Sequence, residues 1–201
     1  ITDPFGMATP NRKGFDFALE RIDKEYGYEF VIKYGMLSDI VGQGVEDLKK
    51  YNSIETHLKM NFANLFALSN DLILEMGYYN YQTSRVSSVI DFSAVDLKSN
   101  RFNCGFNIEL SKEFSILSAV EKFTSFGYDL ISKRDVYDDV INFERFDVDL
   151  EETIYALGLM YNFNDNNNLK LIYQDYNWDN PTIEQPKYSF DRLSLVFNMK
   201  F

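Results

Sequence analysis

The sequence predicts an all-β fold: an antiparallel, up-and-down transmembrane β-barrel of about nine strands. Three observations predict it. Apolar residues recur at every second position along most of the chain, aromatic residues are abundant (18 Phe and 14 Tyr against 4 Pro and 1 Trp), and short connections alternate with longer ones. Aromatic side chains fit the pleated surface of a sheet. No change in composition divides the 201 residues, so we expect a single domain over 1–201.

Six segments alternate clearly enough to define strands with two different faces. One face of each is apolar and the other carries smaller, polar or charged residues, as in a strand buried on one side. Most have close to the 9 to 11 residues, roughly, that a tilted membrane strand needs. In chain order, the apolar sets are Tyr28, Phe30, Ile32 and Tyr34; Ile54, Leu58, Met60 and Phe62; Leu72, Leu74, Met76 and Tyr78; Phe102, Cys104, Phe106, Ile108 and Leu110; Tyr155, Leu157, Leu159, Tyr161 and Phe163; and Leu193, Leu195, Phe197, Met199 and Phe201.

Three further segments are weaker strand candidates. Gly14–Asp23 alternates only briefly, Phe114–Phe126 does not resolve into one apolar face, and Asn168–Trp178 changes phase partway. A β-bulge adds one residue to a strand and would produce such a change of phase. With these three, the count reaches about nine strands.

The connections alternate between short and long. Membrane barrels have this asymmetry, with tight turns at one end and long loops at the other, and Asn and Asp suit the tight turns. Short turns are expected at 24–25, 67–70, 112–113 and 165–168, and long links at 41–51, 85–98, 132–149 and 179–187.

The alternation alone does not say which face points inward, because soluble barrels and sandwiches also have one apolar face. The side-chain types on the two faces decide which face points inward. Large aromatic residues lie at the ends of the apolar faces, and the opposite faces mix Gly, Ala and Asn with charges of both signs. A lipid-facing band around a polar interior requires this arrangement. The residues expected to face lipid are Phe30, Phe62, Phe106, Leu157 and Phe197.

The opposite face is expected to line the interior of the barrel. In a narrow barrel its charges would pair and close the lumen, because unpaired buried charge is costly. In a wider barrel they would line a water-filled pore. Strand number fixes the radius, so both alternatives stay open. The expected lumen-lining residues are Glu29, Lys33, Glu55, His57, Lys59, Glu75, Arg101, Glu109, Arg192 and Lys200.

Composition excludes several other functions. The net charge of −11 and the pI near 4.6 argue against nucleic acid as a partner, which needs a clustered basic surface. Cys104 is the single cysteine, so there is no intramolecular disulfide and no cysteine set for zinc. No run of 18 apolar residues offers a transmembrane helix. We expect no metal and no cofactor.

Catalysis would have to use His57, the only histidine. Ser53, Glu55 and Lys59 are near it in sequence, but alternation places Glu55, His57 and Lys59 in one column, as in any lumen-facing row. A catalytic triad is recognised by geometry that no local motif here supports. A hydrolase site on the barrel rim is therefore the weakest hypothesis, and we expect that the protein is not an enzyme.

The last strand, Arg192–Phe201, resembles the closing strand of bacterial outer-membrane proteins, which alternates and ends on an aromatic residue. The resemblance implies that the barrel-assembly machinery reads Phe201 as part of its signal. The Tyr-, Asn- and Asp-rich composition is similar to that of Bacteroidota outer-membrane β-barrel proteins. The resemblance covers nearly the whole chain in architecture and only this strand as a signature. It implies the outer membrane of a Gram-negative bacterium.

An odd strand number predicts more chain upstream. Single-chain bacterial barrels have an even number of strands, with both ends in the periplasm. If Phe201 ends there, Gly14–Asp23 runs towards the periplasm and residues 1–13 begin outside. We expect the C-terminal portion of a barrel of about 10 to 16 strands. The alternative is a complete eight-stranded barrel with an extra N-terminal segment.

Two functions fit a membrane barrel without catalysis. The first is a pore or transport protein for small solutes. The second is a structural barrel subunit of a secretion, adhesion or nutrient-uptake complex, in which the long loops bind other subunits. In both, the expected partners are outer-membrane lipid and, during biogenesis, the barrel-assembly machinery.

Overall fold

The computed structural model describes residues 12–40, 48–85, 94–137, 139–164, 166–182 and 187–199. These residues form one sheet of nine antiparallel strands, in which each strand pairs with the next in sequence. The all-β class and the up-and-down topology are therefore confirmed. Among the described residues β1 and β9 have one neighbour each, so the sheet is open and its closure into a barrel stays a prediction.

The strands are longer than alternation predicted, with 12 to 25 residues each. Alternation marks only the part of a strand that has one apolar face, and it misses extensions in which polar and apolar residues are mixed on both faces. The elements are β1 (Arg12–Asp23), β2 (Tyr28–Asp39), β3 (Lys50–Asn61), α1 (Phe62–Phe66), β4 (Leu72–Arg85), β5 (Val95–Glu109), β6 (Phe114–Arg134), β7 (Val140–Asn164), β8 (Asn167–Asp179) and β9 (Lys187–Met199).

The two ends of the sheet differ in their connections. One end, here called the turn edge, joins β1 to β2, β3 to β4, β5 to β6 and β7 to β8. Three of these links fall where short turns were predicted, whereas the link from β3 to β4 spans 62–71 and begins before the turn predicted at 67–70. The other end, here called the loop edge, holds the remaining four links. In an up-and-down sheet the links must alternate between the two ends, so the pattern follows from the topology.

A short helix at the turn edge corrects one prediction. β3 ends at Asn61, and Phe62 begins α1 instead of continuing the lipid-facing set of β3. The Asn61 side chain accepts a hydrogen bond of 3.0 Å from the backbone N–H of Ala63, which caps the helix. Capping therefore outweighs alternation at this position. No helix in the described part of the chain is long and apolar enough to cross a membrane.

The pair β6–β7 extends beyond its neighbours at the loop edge. Residues 129–134 of β6 and 140–147 of β7 pair with each other but have no partner in β5 or β8. The prediction of a long link over 132–149 is therefore wrong, and the connection spans only 135–139. We call residues 129–147 the projecting hairpin. With water on both faces it needs no apolar alternation, which is why the sequence did not reveal it.

The change of phase in β8 is not a bulge, contrary to the prediction. β8 pairs with β9 without interruption from Asn167 to Asp179, and the register irregularity of this region lies in β7, between Asn162 and Asn164. The apolar residues of β8 change face instead. Tyr173 is the last apolar residue on the face of Leu169 and Leu171, and Tyr176 is the first aromatic residue on the other face, which also carries Ile172.

The pairing register assigns every strand residue to one of two faces. The belt face carries Phe30, Phe106, Leu157 and Phe197, of the residues expected to face lipid, and on it Phe106, Leu157 and Phe197 are exposed. The other face, here called the charged face, carries all the expected lumen-lining residues of the described ranges. Lys200 and Phe201 lie outside the described residues.

The apolar residues of the belt face form a belt, interrupted by Thr56 and Ser118, that has a boundary towards the loop edge; on β6 the belt face carries a further apolar residue, Phe126, beyond that boundary. On each strand the last apolar residue of the belt is followed, two positions further, by a polar residue. From β1 to β9 the apolar boundary residues are Phe15, Met36, Ile54, Tyr78, Phe102, Val120, Tyr155, Tyr173 and Leu193, and the polar residues beyond them are Lys13, Ser38, Asn52, Asn80, Asn100, Lys122, Thr153, Asp175 and Asp191.

The boundary of the belt crosses the sheet obliquely. A cross-strand row is a line of residues that pair with one another from strand to strand. At four of the eight steps from one strand to the next the boundary stays in the same row, and at the other four it is displaced by two residues along the strand. Eight residues at about 3.3 Å, over eight spacings of about 4.8 Å, give a slope of about 35° to the rows. The row through Ile32 shows this, since it passes from Tyr78 and Phe102 to Lys122 and Thr153.

Candidate functional site

The charged face carries pairs of opposite charges that join neighbouring strands. Lys33 Nζ lies 3.7 Å from Glu55 Oε2, and the Tyr81 hydroxyl donates to Glu55 Oε1 at 3.0 Å. Arg101 Nη2 donates to Glu121 Oε2 at 2.8 Å. These contacts follow from the register, which places Lys33 directly across from Glu55. The charges are therefore matched within the wall of the sheet.

Lys33 and Arg101 are exposed and their carboxylate partners are half-buried, so the ion pairs contribute little to stability, about 0 to 1 kcal/mol each. Their main effect is on position, because each pair holds two long side chains against the sheet. The Arg101 guanidinium also lies 6.0 Å from the centre of the Tyr79 ring, its partner in the row.

Further carboxylates and a lysine lie on the charged face towards the turn edge. Lys59 lies between Glu29 and Glu75 in one cross-strand row. Glu109 accepts a hydrogen bond from the backbone N–H of Asp71 at 2.9 Å. At the far side of the sheet Arg192 is exposed and lies across from Gln174. The residues predicted to line a lumen thus share one face of the sheet.

His57 contacts a carboxylate on the next strand. Its Nε2 lies 3.1 Å from Glu75 Oε1. Its direct partners across the strands are Val31 and Gly77, neither of which can act as a nucleophile. The pair is an acid–base contact without a hydroxyl or thiol partner in its row, so no feature of it favours the hydrolase hypothesis. The absence of enzymatic activity stays a prediction.

A hollow of about 500 Å³ lies over β4 to β8, mostly on the charged face. Its floor is made of small residues, Gly105, Ala119, Ala156 and Gly158, because each strand from β5 to β7 contributes Gly or Ala there. Polar groups at its rim include Glu121. The hollow lies at the level of the apolar belt of the opposite face.

Sequence analysis missed several residues of the charged face. Glu121 was missed because β6 has no clean alternation, and Tyr79 and Tyr81 were missed because they are aromatic residues on a polar face. A stacked group on β8 and β9, Trp178 with Tyr188 among it, was also missed. Only the pairing register could have revealed these residues, since it aligns them with residues on strands whose faces were clear.

Among the residues that the structure describes, no group of three or more His, Cys, Asp and Glu side chains could hold a metal ion. The site is thus defined by its fold: one face of an antiparallel meander sheet, lined with paired charges and small residues. Comparison of the chain with protein-family models, with curated proteins and with solved structures found no match.

Proposed function

We propose that this chain forms part of the wall of an outer-membrane β-barrel, with the belt face against lipid and the charged face towards an aqueous lumen that passes small polar solutes. The observation that carries the proposal is the oblique boundary of the apolar belt. The outer membrane as location, lipid as the surrounding phase and the barrel-assembly machinery as the biogenesis partner belong to the same proposal.

The slope of the belt is what a membrane barrel requires. Strands of such barrels tilt by about 35 to 45° from the membrane normal, while the membrane surface stays flat. The edge of the hydrocarbon must therefore cross the cross-strand rows at the angle of tilt. The belt slopes by about 35° to those rows. A soluble sandwich would bury whole rows against its second sheet and gives no reason for a slope.

The height and composition of the belt support the same interpretation. On β7 the belt runs from Tyr155 to Phe163, about 27 Å along the strand and about 22 Å at a tilt of 35°, against about 25 Å for known barrels. Aromatic residues end the belt on five strands: Phe15, Tyr78, Phe102, Tyr155 and Tyr173. Tyr and Trp favour the boundary between hydrocarbon and headgroups.

The charged face supports a pore function. Its ion pairs run along the wall, and the small residues behind the hollow leave room at the depth of the belt. Acidic side chains exceed basic ones at this depth, so the pore should prefer cations. The acidic residues are Asp16, Glu20, Glu29, Glu55, Glu75, Glu109 and Glu121, and the basic residues are Lys33, Lys59, Arg101, Lys170 and Arg192.

Two measurements on purified full-length protein test the proposal. A closed membrane barrel keeps its shape in cold detergent, so we expect faster migration of the unheated sample on a detergent gel. In a planar bilayer we expect stepwise conductance with cation preference. A protein that needs no detergent and shows no heat-dependent shift would contradict the barrel, and a heat-dependent shift without conductance would contradict the pore alone.

The projecting hairpin favours a second function, that of a subunit in a larger complex. Its tip exposes Val136 and Tyr137 almost fully, at 92% and 82%. Such residues are typical of contacts with another protein. Replacement of residues 129–146 by an Asn-Gly turn should leave the barrel and its conductance intact. Loss of a co-purifying subunit would favour the structural function, and an unchanged complex would contradict it.

A further inference from the structure

The link between β3 and β4 carries an exposed apolar surface at the turn edge. Its first half is α1, on which the rings of Phe62 and Phe66 stack with centres 6.1 Å apart and planes 7° apart. Leu65 lies on the same side of the helix, because it is three residues from Phe62. Phe66 is 68% exposed, Leu68 is 51% exposed and Leu65 is 39% exposed. We call Phe62, Leu65, Phe66 and Leu68 the α1 patch.

The fold holds the α1 patch in one place. Asn61 caps the start of the helix and donates a hydrogen bond of 2.8 Å to Asp71 Oδ1, just before β4. At the end of the helix the backbone N–H of Leu68 donates to Ala63 O at 3.0 Å, and Ala63 is buried. The link is therefore fastened at both ends, and its exposed side chains are presented in a defined arrangement.

A missing strand of the barrel does not explain this exposure. β3 pairs with β2 and β4, and β4 pairs with β3 and β5, so both strands that flank α1 have two described neighbours. A further strand would pair with β1 or β9, at the open edges of the described sheet. Exposed apolar groups of this kind are typical of a surface that contacts a membrane or another protein. The α1 patch therefore points to a contact outside the barrel wall.

The position of α1 coincides with the end of the belt towards the turn edge. On β2 and β7 the belt extends over eight steps of one residue, at 28–36 and 155–163. Eight steps from Ile54, the boundary residue of β3, reach Phe62, the first residue of α1. Phe62 also follows Met60 by two positions, as neighbours within the belt do. α1 therefore begins at the depth that the proposed function assigns to the boundary between hydrocarbon and headgroups.

The composition of the link fits that boundary. Residues 62–70 contain no charged side chain, and Asn64, Ser69 and Asn70 supply exposed polar groups beside the apolar ones. A helix that lies in the headgroup boundary buries an apolar face, typically of Phe, Trp and Leu, by about 5 to 10 Å. α1 is shorter than such helices, so the sheet holds it at this depth and its own affinity for the membrane does not have to.

We propose that the α1 patch contacts phospholipid by inserting into the headgroup boundary of the leaflet at the turn edge. The proposal rests on the proposed function, because it extends the lipid contact of the belt to the link beyond β3. Lipid is favoured over a second protein because the patch is continuous with the belt. In addition, residues 62–70 offer no charge that would orient a protein partner.

Quenching by brominated lipid tests the contact, because bromine quenches tryptophan fluorescence only at short range. Trp178 is the only tryptophan, so a Trp178→Phe background leaves one reporter at each chosen position. Phe66→Trp, Leu159→Trp and Tyr137→Trp would be compared in full-length protein, in phosphatidylcholine vesicles brominated either near the headgroup or near the end of the acyl chains. Phe66→Trp should lose fluorescence mainly with bromine near the headgroup. Leu159→Trp, midway along the belt of β7, should lose it mainly with bromine near the chain end, and Tyr137→Trp should lose none.

Tyr137→Trp is the matched control, since residue 137 is also an exposed aromatic residue but lies on the projecting hairpin at the loop edge. The proposal would be overturned if Phe66→Trp lost no more fluorescence than Tyr137→Trp, or lost most with bromine near the chain end. A blue-shifted emission of Phe66→Trp without quenching would identify a protein as the occupant and would also overturn it. In these cases, quenching of Leu159→Trp would leave the lipid contact of the belt standing. Quenching of Phe66→Trp without quenching of Leu159→Trp would support the α1 patch and contradict the proposed function.

Discussion

The oblique belt predicts that the cost of a buried charge depends on depth in the membrane and not on position in the row. Leu159 lies midway along the belt on β7, four residues from Tyr155 and from Phe163. Four residues correspond to about 13 Å along the strand and about 11 Å in depth at a tilt of 35°. Leu159 is therefore placed near the midplane of the hydrocarbon.

Leu159→Arg should reduce the free energy of unfolding by about 2 to 4 kcal/mol, the cost of Arg at the midplane of a membrane barrel. Thr153→Arg, on the same strand but outside the belt, should cost about 0 to 1 kcal/mol. Ile32→Arg is the decisive variant. Ile32 shares a cross-strand row with Thr153 but lies within the belt, so it should resemble Leu159→Arg.

The three free energies can be measured by denaturant unfolding in lipid vesicles, followed by the fluorescence of Trp178. Equal costs for Ile32→Arg and Thr153→Arg would refute the sloping belt. Costs within about 0.5 kcal/mol of zero for all three variants would mean that the belt face meets water, where exposed substitutions are nearly neutral.

Three further predictions concern other parts of the chain. Cys104 lies on the belt face and should resist a water-soluble maleimide in vesicles. Residue 100 lies beyond the belt on the same strand, so Asn100→Cys in a Cys104→Ala background should react with the maleimide. Equal reaction rates would contradict the contact of Cys104 with lipid. Gly127→Ala should lower the free energy of unfolding by about 1 to 3 kcal/mol, because φ at Gly127 is +122° and a Cβ would meet Asp96 O at 1.9 Å. At Gly105 a Cβ would make ordinary contacts, so Gly105→Ala should lower it by less. Glu75→Gln should lower the permeability ratio of K⁺ to Cl⁻ in planar bilayers, and an unchanged ratio would show that Glu75 does not face the lumen.

The sequence predicts those strands in which hydrophobicity has one consistent face. β5 alternates strictly within the belt, and β7 and β9 have an unbroken apolar face there, so their position and their two faces follow directly from period two. β8 shows the limit of this argument. Its belt residues end at Tyr173 and aromatic residues follow on the other face at Tyr176 and Trp178, and a local pattern cannot distinguish that change from a bulge.

The stagger of the strands could not be obtained from alternation. A period of two fixes the face of each residue but allows any even shift between neighbours. The contacts of Lys33 with Glu55 and of Arg101 with Glu121 depend on that shift, as do the aromatic contacts between β8 and β9 and the slope of the belt. The extensions of β6 and β7 and the helix at Phe62 were missed for another reason, since neither has an apolar stripe of strand period.

The stagger also constrains how the length of this chain can change in evolution. Deletion of one residue inside β5 would exchange the faces of everything beyond the cut. Deletion of two residues would restore the faces but would displace the rest of β5 by about 7 Å along both neighbouring strands. Asn100 or Glu109 would then lie at a different depth in the membrane. Insertions and deletions in related genes should therefore collect in residues 129–147 and in the other links of the loop edge, with the strand interiors changing by substitution alone.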